Sequence, residues 1–224
     1  MQRCSAFRKG INMEPTILSY CKIKNNTVWL NGDEIYIDNK SVDFDAFLVN
    51  LYRHINLNYP KFFKMDNLCK LGMLAAEMAI RNNSKSDNCE KDKTAVFISN
   101  NSSSLDTDRN HIKTIEDKSQ YFPSPSVFVY TLPNIIIGEI SIKHKLAGEN
   151  AFFVTEKFDE KLMHSYTSIA LQNKHTADAV CGWINVDGNE YEAFVYYVEK
   201  SNFNPLIKGF NMPHNPETIS RLYN

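Results

Sequence analysis

The sequence predicts an α/β protein with a mixed central sheet, helices packed on it and antiparallel strands at its edges, because helical and strand patterns alternate along the chain. Two stretches weigh most. Thr94 to Ser99, TAVFIS, is an apolar, β-branched run of the kind found in strands covered on both faces. Ala177 to Val186 and Tyr191 to Glu199 alternate around Asp187-Gly188-Asn189 as a β-hairpin.

In chain order, residues 1–13 are polar and basic without periodicity and are expected to be disordered. Ile17 to Ile23, Thr27 to Leu30 and Glu34 to Ile37 are short β-prone runs, separated by Asn25-Asn26 and Asn31-Gly32, residues that tolerate the left-handed conformation of tight hairpins. Asp43 to Ile55 places Phe44, Phe47, Leu48, Leu51 and Ile55 at helical spacing. A second helix starts at the cap residue Asp66, and its Gly72 and alanines suit close packing on a sheet. Ser84 to Lys93 reads as a polar linker, and Asn100 to Pro125 as a surface excursion without convincing periodicity.

For Pro133 to Lys145 the signals collide. Ile135, Ile136, Ile137, Ile140 and Ile142 favour strand, whereas Pro133 at a first-turn position and Gly148 as a stop favour helix. Ala151 to Thr155 reads as a strand, Asp159 to Gln172 as a helix, and residues 202–224, with Pro205, Pro213 and Pro216, as an irregular tail. No repeat or compositional break divides the chain, so residues 1–224 are expected to form a single domain.

A net charge of -1 gives no reason to expect nucleic-acid or anionic-membrane binding. The five cysteines stand far apart and form no zinc spacing or disulfide framework. No run approaches the roughly 20 apolar residues of a membrane helix, and Met1 to Gly10 lacks the apolar middle of a signal peptide, so a cytoplasmic protein is expected. Asp106-Thr107-Asp108 lacks the glycine and closing glutamate of a calcium loop, and Gly32, Gly188 and Gly209 form no phosphate-binding cluster. No metal and no cofactor is expected.

The stretch YTLPNIIIGEISIKHKLAGENAFFVTEK, Tyr130 to Lys157, resembles the N-terminal half of the β-ketoacyl-acyl-carrier-protein synthases of the thiolase-like superfamily. The matching scaffold residues are Leu132-Pro133-Asn134, Gly138, Gly148-Glu149-Asn150 and the strand Ala151 to Thr155. Upstream, PKFFKMDNLCKLGMLAAEMAI looks like the family's phenylalanine-lysine-methionine-aspartate segment and following helix, and TAVFIS like its next core strand. Several motifs in order are more specific than any one, and together they span roughly Tyr59 to Ala179. The resemblance implies half of a thiolase-like fold, and it makes Pro133 to Lys145 a helix.

Two departures shape the functional expectation. The family's nucleophilic cysteine follows a Thr-Ala pair, and here Thr155, Glu156 and Lys157 stand in those three places. A thiolate is nucleophilic enough to take an acyl group from a thioester and leaves readily afterwards, whereas a lysine amine would trap the group as an amide. The family's two histidines and a lysine lie in a second half of similar fold, for which this chain has no room; Ala193 to Glu199 faintly resembles that half's first strand. Cys181 and Cys69 read as small buried apolar residues, and His144 and His164 sit in no triad or metal pattern.

The expected function is therefore a ketosynthase-like, catalytically inactive subunit pairing with an active condensing enzyme, or with itself, in fatty acid, polyketide or polyene synthesis. The family supplies a precedent in chain-length factors, cysteine-less proteins that pair with an active mate and shape its acyl tunnel. Such a half would bare apolar helices that call for a partner, and Ala151, Phe152, Phe153, Val154 and Thr155 would form the dimer edge. Two alternatives stand beside this: an acyl transferase or hydrolase using Cys181 or Ser141, and a module holding an acyl chain or acyl carrier protein non-covalently.

Overall fold

The Ala177–Glu199 hairpin lies inside the sheet. In the computed structural model, which describes residues 15–83, 91–116, 119, 123–201, 203–204, 206 and 209–224, β6 (Asp178–Asp187) and β7 (Glu190–Glu199) pair antiparallel, turning at Gly188 with φ 61°. The expected disorder of residues 1–13 and most of the polar linker, residues 84–90, fall outside the described residues. β1 (Thr16–Lys24) lies antiparallel to β7, followed outward by β2 (Thr27–Leu30) and β3 (Asp33–Ile37). On the other side β6 pairs in parallel with β4 (Thr94–Asn100), which pairs in parallel with β5 (Asn150–Val154). The order is β3-β2-β1-β7-β6-β4-β5, with the two-residue β8 (Met212–Pro213) added against the start of β1.

The meander follows from its asparagines. Asn25, Asn26 and Asn31 adopt φ of 50°, 56° and 54°, and Gly32 of 98°, so both tight turns use left-handed residues at both central positions. β7 belongs to this same sheet, between β1 and β6, so the faint likeness of Ala193–Glu199 to the opening of a second half does not hold; its apolar side chains are needed on both faces here.

Helices cover both faces, which is why the central strands are apolar at successive positions. Val180, Ile184 and Val186 of β6 enter one core while Ala179, Cys181 and Trp183 enter the other. The larger core packs beneath α1 (Phe44–His54), α2 (Asn67–Arg81) and α5 (Ile135–His144); the smaller lies beneath α6 (Glu160–Gln172) and α7 (Pro216–Tyr223). Helix α2 is buried on nearly every side, and a Cβ at Gly72 would meet Ile136 of α5 and lie 2.9 Å from Ile184 Cδ1 of β6. Among the described residues no helix is long and apolar enough to cross a membrane.

Two expectations change. The irregular tail of residues 202–224 ends in a helix, α7, because Pro216 occupies its first turn, where proline is favourable, and the Asn215 side chain accepts the Thr218 N–H at 2.9 Å. Ile219 is fully buried and Tyr223 stacks 4.6 Å from Phe158, so packing completes what the three prolines concealed. The excursion of residues 100–125 contains α3 (Leu105–Lys113), and α4 (Pro125–Val129) follows directly. α3 is held by tertiary bonds rather than periodicity: Ser104 Oγ donates to the Thr131 carbonyl at 2.6 Å and Thr107 Oγ1 to Asp66 at 2.7 Å.

The entry to α1 is organised by a buried carboxylate. Asp38 accepts from the N–H groups of Lys40 (2.9 Å) and Ser41 (3.0 Å), from Ser41 Oγ at 2.5 Å, from Asn50 at 3.0 Å and from the Tyr36 hydroxyl at 3.2 Å. Burial alone would raise its pKa, but the bonds from Ser41, Asn50 and the Lys40 and Ser41 amides outweigh it and hold the carboxyl well below the usual range. Its stabilisation is fully present above the unfolded-state value near pH 4 and is lost as pH falls toward the lower folded value. Asp38→Ala, which strands these donors, is expected to cost about 2 kcal/mol in urea denaturation at pH 7, with the difference from wild type shrinking below pH 4.

Candidate functional site

The motif residues are distributed over α5, β5 and the turn from β5 into α6, beside β4. Asn134 caps α5 through its carbonyl, which accepts from Ile137 N at 3.1 Å, and Pro133 precedes it. The helix stops at Lys145, in the left-handed region with φ 59°, as the Leu146 N–H returns to the Ser141 carbonyl at 2.9 Å. Gly148, expected to be that stop, has a different task. Its N–H donates to the Thr94 carbonyl at 3.2 Å, and a Cβ there would run into that carbonyl and stand 2.9 Å from Ala95 N. Glycine lets the chain graze β4, and Asn150 then enters β5 in register with Val96.

Beyond β5 the chain turns sharply. Thr155 N–H donates to the Asn100 carbonyl at 2.9 Å, Thr155 Oγ1 donates to the Lys157 carbonyl at 2.9 Å, and Phe158 is buried. Asp159 caps α6, accepting from Lys161 N (3.0 Å) and Leu162 N (2.9 Å). Residues 155–161 line a shallow open cavity of about 390 Å³, with Lys157 exposed beside it. The positive end of a helix lowers a thiol's pKa and opposes a cation. A lysine just ahead of this helix start gains nothing from it, and the cap is already filled by Asp159.

Two buried carboxylates bind α5 to its neighbours, and the motif search did not single them out. Glu139 accepts from the Tyr130 hydroxyl at 3.2 Å and pairs with Lys61 at 2.8 Å. Burial first, then the charges of Glu139 and Cys69, push the Tyr130 phenol up. Glu77 of α2 meets Arg81 (3.4 Å), Lys143 (3.8 Å) and His144 (3.2 Å). Burial, then Lys143, Lys91 and Arg81, push His144 down to about 4, so it faces Glu77 as a neutral ring at pH 7. A glutamate inside the apolar run LGMLAAEMAI was the available signal.

A cleft of about 250 Å³ opens at the head of α2 between α3 and α4, lined among others by Asp45, Asp66, Asp106 and Tyr130. Asp66 accepts from Cys69 N at 2.9 Å and Thr107 Oγ1 at 2.7 Å; burial raises its pKa and these bonds only partly offset that. The Asp106-Thr107-Asp108 run is thereby a helix start, with Asp106 accepting from Gly188 N at 3.2 Å. Among the described residues no group of three or more His, Cys, Asp or Glu is placed to hold a metal ion.

The remaining candidates lie apart. Cys181 is fully buried in β6, 3.2 Å from Thr167 Oγ1, and burial pushes its thiol up to about 12, the opposite of an activated nucleophile. Cys69 is buried on α2, and its thiol is likewise raised by burial, then by Asp66. Ser141 sits on α5, half-buried, and His164 on α6.

No protein-family model matches the sequence, and no curated protein does either. Solved structures do. The chain matches the ishigamide ketosynthase/chain length factor with TM-score 0.61 and 12% identity, over 83% of this chain and 62% of that one. The fold is that of ketosynthases and chain length factors. A ketosynthase, ApeO, in complex with its chain length factor, ApeC, from Xenorhabdus doucetiae matches at TM-score 0.55 and 10% identity over 94% of this chain and 90% of that one. A type II polyketide synthase acyl-carrier protein in complex with its ketosynthase bound to the hexaketide (AntDE:AntF) matches at 0.59 and 12%, over 84% and 63%. The chain thus spans a little over six-tenths of the first and third of these, and nine-tenths of the second.

The two motif glycines respond differently to a methyl group. Gly148→Ala is expected to destabilise the fold by about 2 kcal/mol, since backbone must move. Gly138→Ala, on a helix face with nothing within 4 Å, is expected to stabilise by roughly 0.5–1 kcal/mol; paired urea titrations measure both. For the thiols, peptide mapping after brief iodoacetamide treatment at pH 8 should find Cys181 unmodified in the native protein and modified in urea, whereas a Lys157→Cys thiol should be labelled in the folded state.

Proposed function

We propose that the chain is a ketosynthase-like subunit without a nucleophile of its own, acting as a chain-length-factor-like partner of an active condensing enzyme in fatty acid, polyketide or polyene synthesis. The observation that carries this reading is Lys157: at the turn before α6, where the resemblance places the family's cysteine, an exposed lysine stands in a fold of ketosynthase type. The second solved neighbour supports the pairing, being a ketosynthase in complex with its chain length factor. An acyl carrier protein, named in the third, would on this reading be met through the active mate.

The surface for the mate is β5 and the neighbouring face of α5. β5 ends the sheet, with β4 on one side only, and Val154 is 57% exposed. On α5 the exposed Gly138 is followed one turn later by Ile142, 63% exposed, and among the described residues no atom lies within 4 Å of where a Cβ at Gly138 would stand. A glycine that weakens a helix without an internal contact fits the close approach of a second backbone.

The reading that relocates chemistry to Cys181 is disfavoured by the burial and raised pKa of that thiol. Co-expression with a ketosynthase encoded in the same genome should give a 1:1 complex in sedimentation velocity. Val154→Asp, at an exposed site, should weaken that complex at least tenfold while leaving the urea midpoint nearly unchanged. A monodisperse monomer that binds no such ketosynthase would count against the proposal.

A further inference from the structure

The C-terminal segment is fastened at a buried histidine. His214, between β8 and α7, is 1% exposed, and its backbone N–H donates to the Pro15 carbonyl at 2.8 Å. Its Nε2 lies 3.4 Å from the Tyr196 hydroxyl of β7, and its ring centroid 5.2 Å from that of His164 on α6. Nδ1 is buried and, among the described residues, has no hydrogen-bond partner. The ring therefore occupies a site shaped for a neutral imidazole.

The charged and titratable groups around it offer no compensation. α6 presents His164, with Glu160 and Lys161 about one turn earlier on the helix. β7 presents the Tyr196 hydroxyl, itself beside Cys181, and ends at Glu199, in register with Thr16 of β1. Within the segment, Glu217 lies in the first turn of α7, whose positive end points back toward His214. Among the described residues no carboxylate forms an ion pair with the His214 ring. Burial first, and His164 second, push its pKa down to about 3. Because the folded value lies below the ordinary one near 6.5, the stabilisation is complete above about pH 6.5 and is lost as pH falls from there toward 3.

The segment is held by a short strand pairing and by the packing of α7 on α6 and the smaller core. β8 pairs with β1 only at Thr16 and Ile17. α7 buries Ile219, its Tyr223 hydroxyl donates to Glu192 at 2.8 Å, and Lys22 donates to the Asn224 carbonyl at 3.0 Å. Without it β6 and β7 keep a neighbour on each side, and β1 keeps β7 along its length and β2 at Cys21–Lys24. The geometry points to residues 212–224 being an acid-released strap: protonation of His214 against His164 lifts the strap and uncovers the aromatic face of Phe158, Phe194 and Tyr196 while the sheet stays folded. Tyr223, at 4.6 Å from Phe158 and 5.7 Å from Phe194, is the side chain whose departure opens that face.

Hydrogen exchange read by mass spectrometry on the full chain at pH 7.5 and 5.0, corrected for intrinsic rates, tests this. The opening constant of peptides within 212–224 should rise about 30-fold, as a shift from 6.5 to about 3 requires, with β4 peptides unchanged. In His214→Gln, which keeps a polar side chain near the Tyr196 hydroxyl but cannot be protonated, the strap's rise should vanish. Should that variant not fold, the wild-type comparison alone decides. Unchanged strap protection at pH 5.0, loss of β4 protection in step with the strap, or a full pH response in a folded His214→Gln would each overturn the inference.

Discussion

Helix α2 packs on the sheet through Gly72, whose missing Cβ leaves room for side chains of both α5 and β6. Ile184 rises from β6 and Ile136 descends from α5 into the space a side chain there would fill. Since α2 is buried nearly all round, its position determines where α1 and α5 can lie. A larger residue would press on α5 and on β6 at once, and close-packed interiors relax poorly around such a change.

The charged contacts of α5 depend on that spacing. Glu77 and Glu139 are withdrawn from solvent only because α2, α5 and the turn carrying Lys61 close over them, and each is met by cations whose stems reach inward. Buried ion pairs contribute little net stability but are costly to break, so they favour one arrangement over near alternatives. With α5 fixed at both carboxylates, Gly148 can bring the chain against β4, β5 enters at the sheet's edge, and the turn at Lys157 is placed ahead of α6. The turn at Lys157 is thus held by packing and charge contacts indifferent to the residue displayed there.

That independence of frame and chemistry explains how the fold of ketosynthases and chain length factors is present at 10–12% identity. In this chain the frame rests on backbone requirements: a glycine where the chain meets β4, a cap before a helix, an apolar strand between helical layers. Side chains that touch a substrate are free to differ without cost to the fold. The deeply buried Cys181 illustrates the converse, a chemically capable group that its surroundings make a packing residue.

Much of this was legible in order along the chain. The paired asparagines specified the meander turns, Asp66 announced a helix, the apolar run of β4 signalled a strand covered on both faces, and the alternation around Gly188 signalled the β6–β7 hairpin, because these are local demands of the backbone and of side-chain pattern. The isoleucines of α5 were not decisive locally, since β-branched residues suit a strand as well as a buried helix, and only motif order resolved them. α3 has no apolar stripe and exists through Ser104 and Thr107 reaching distant partners; α7 was hidden behind prolines that start it. The orphaned His214, the two buried glutamates and the role of Gly148 depend on what folds over or against them. The sequence by itself determined the elements with clear caps, turns or apolar runs, and the absence of a thiol at residue 157, because propensity, capping and residue identity are local. The tertiary structure alone decided which groups lost water, since desolvation is a property of the assembled layers.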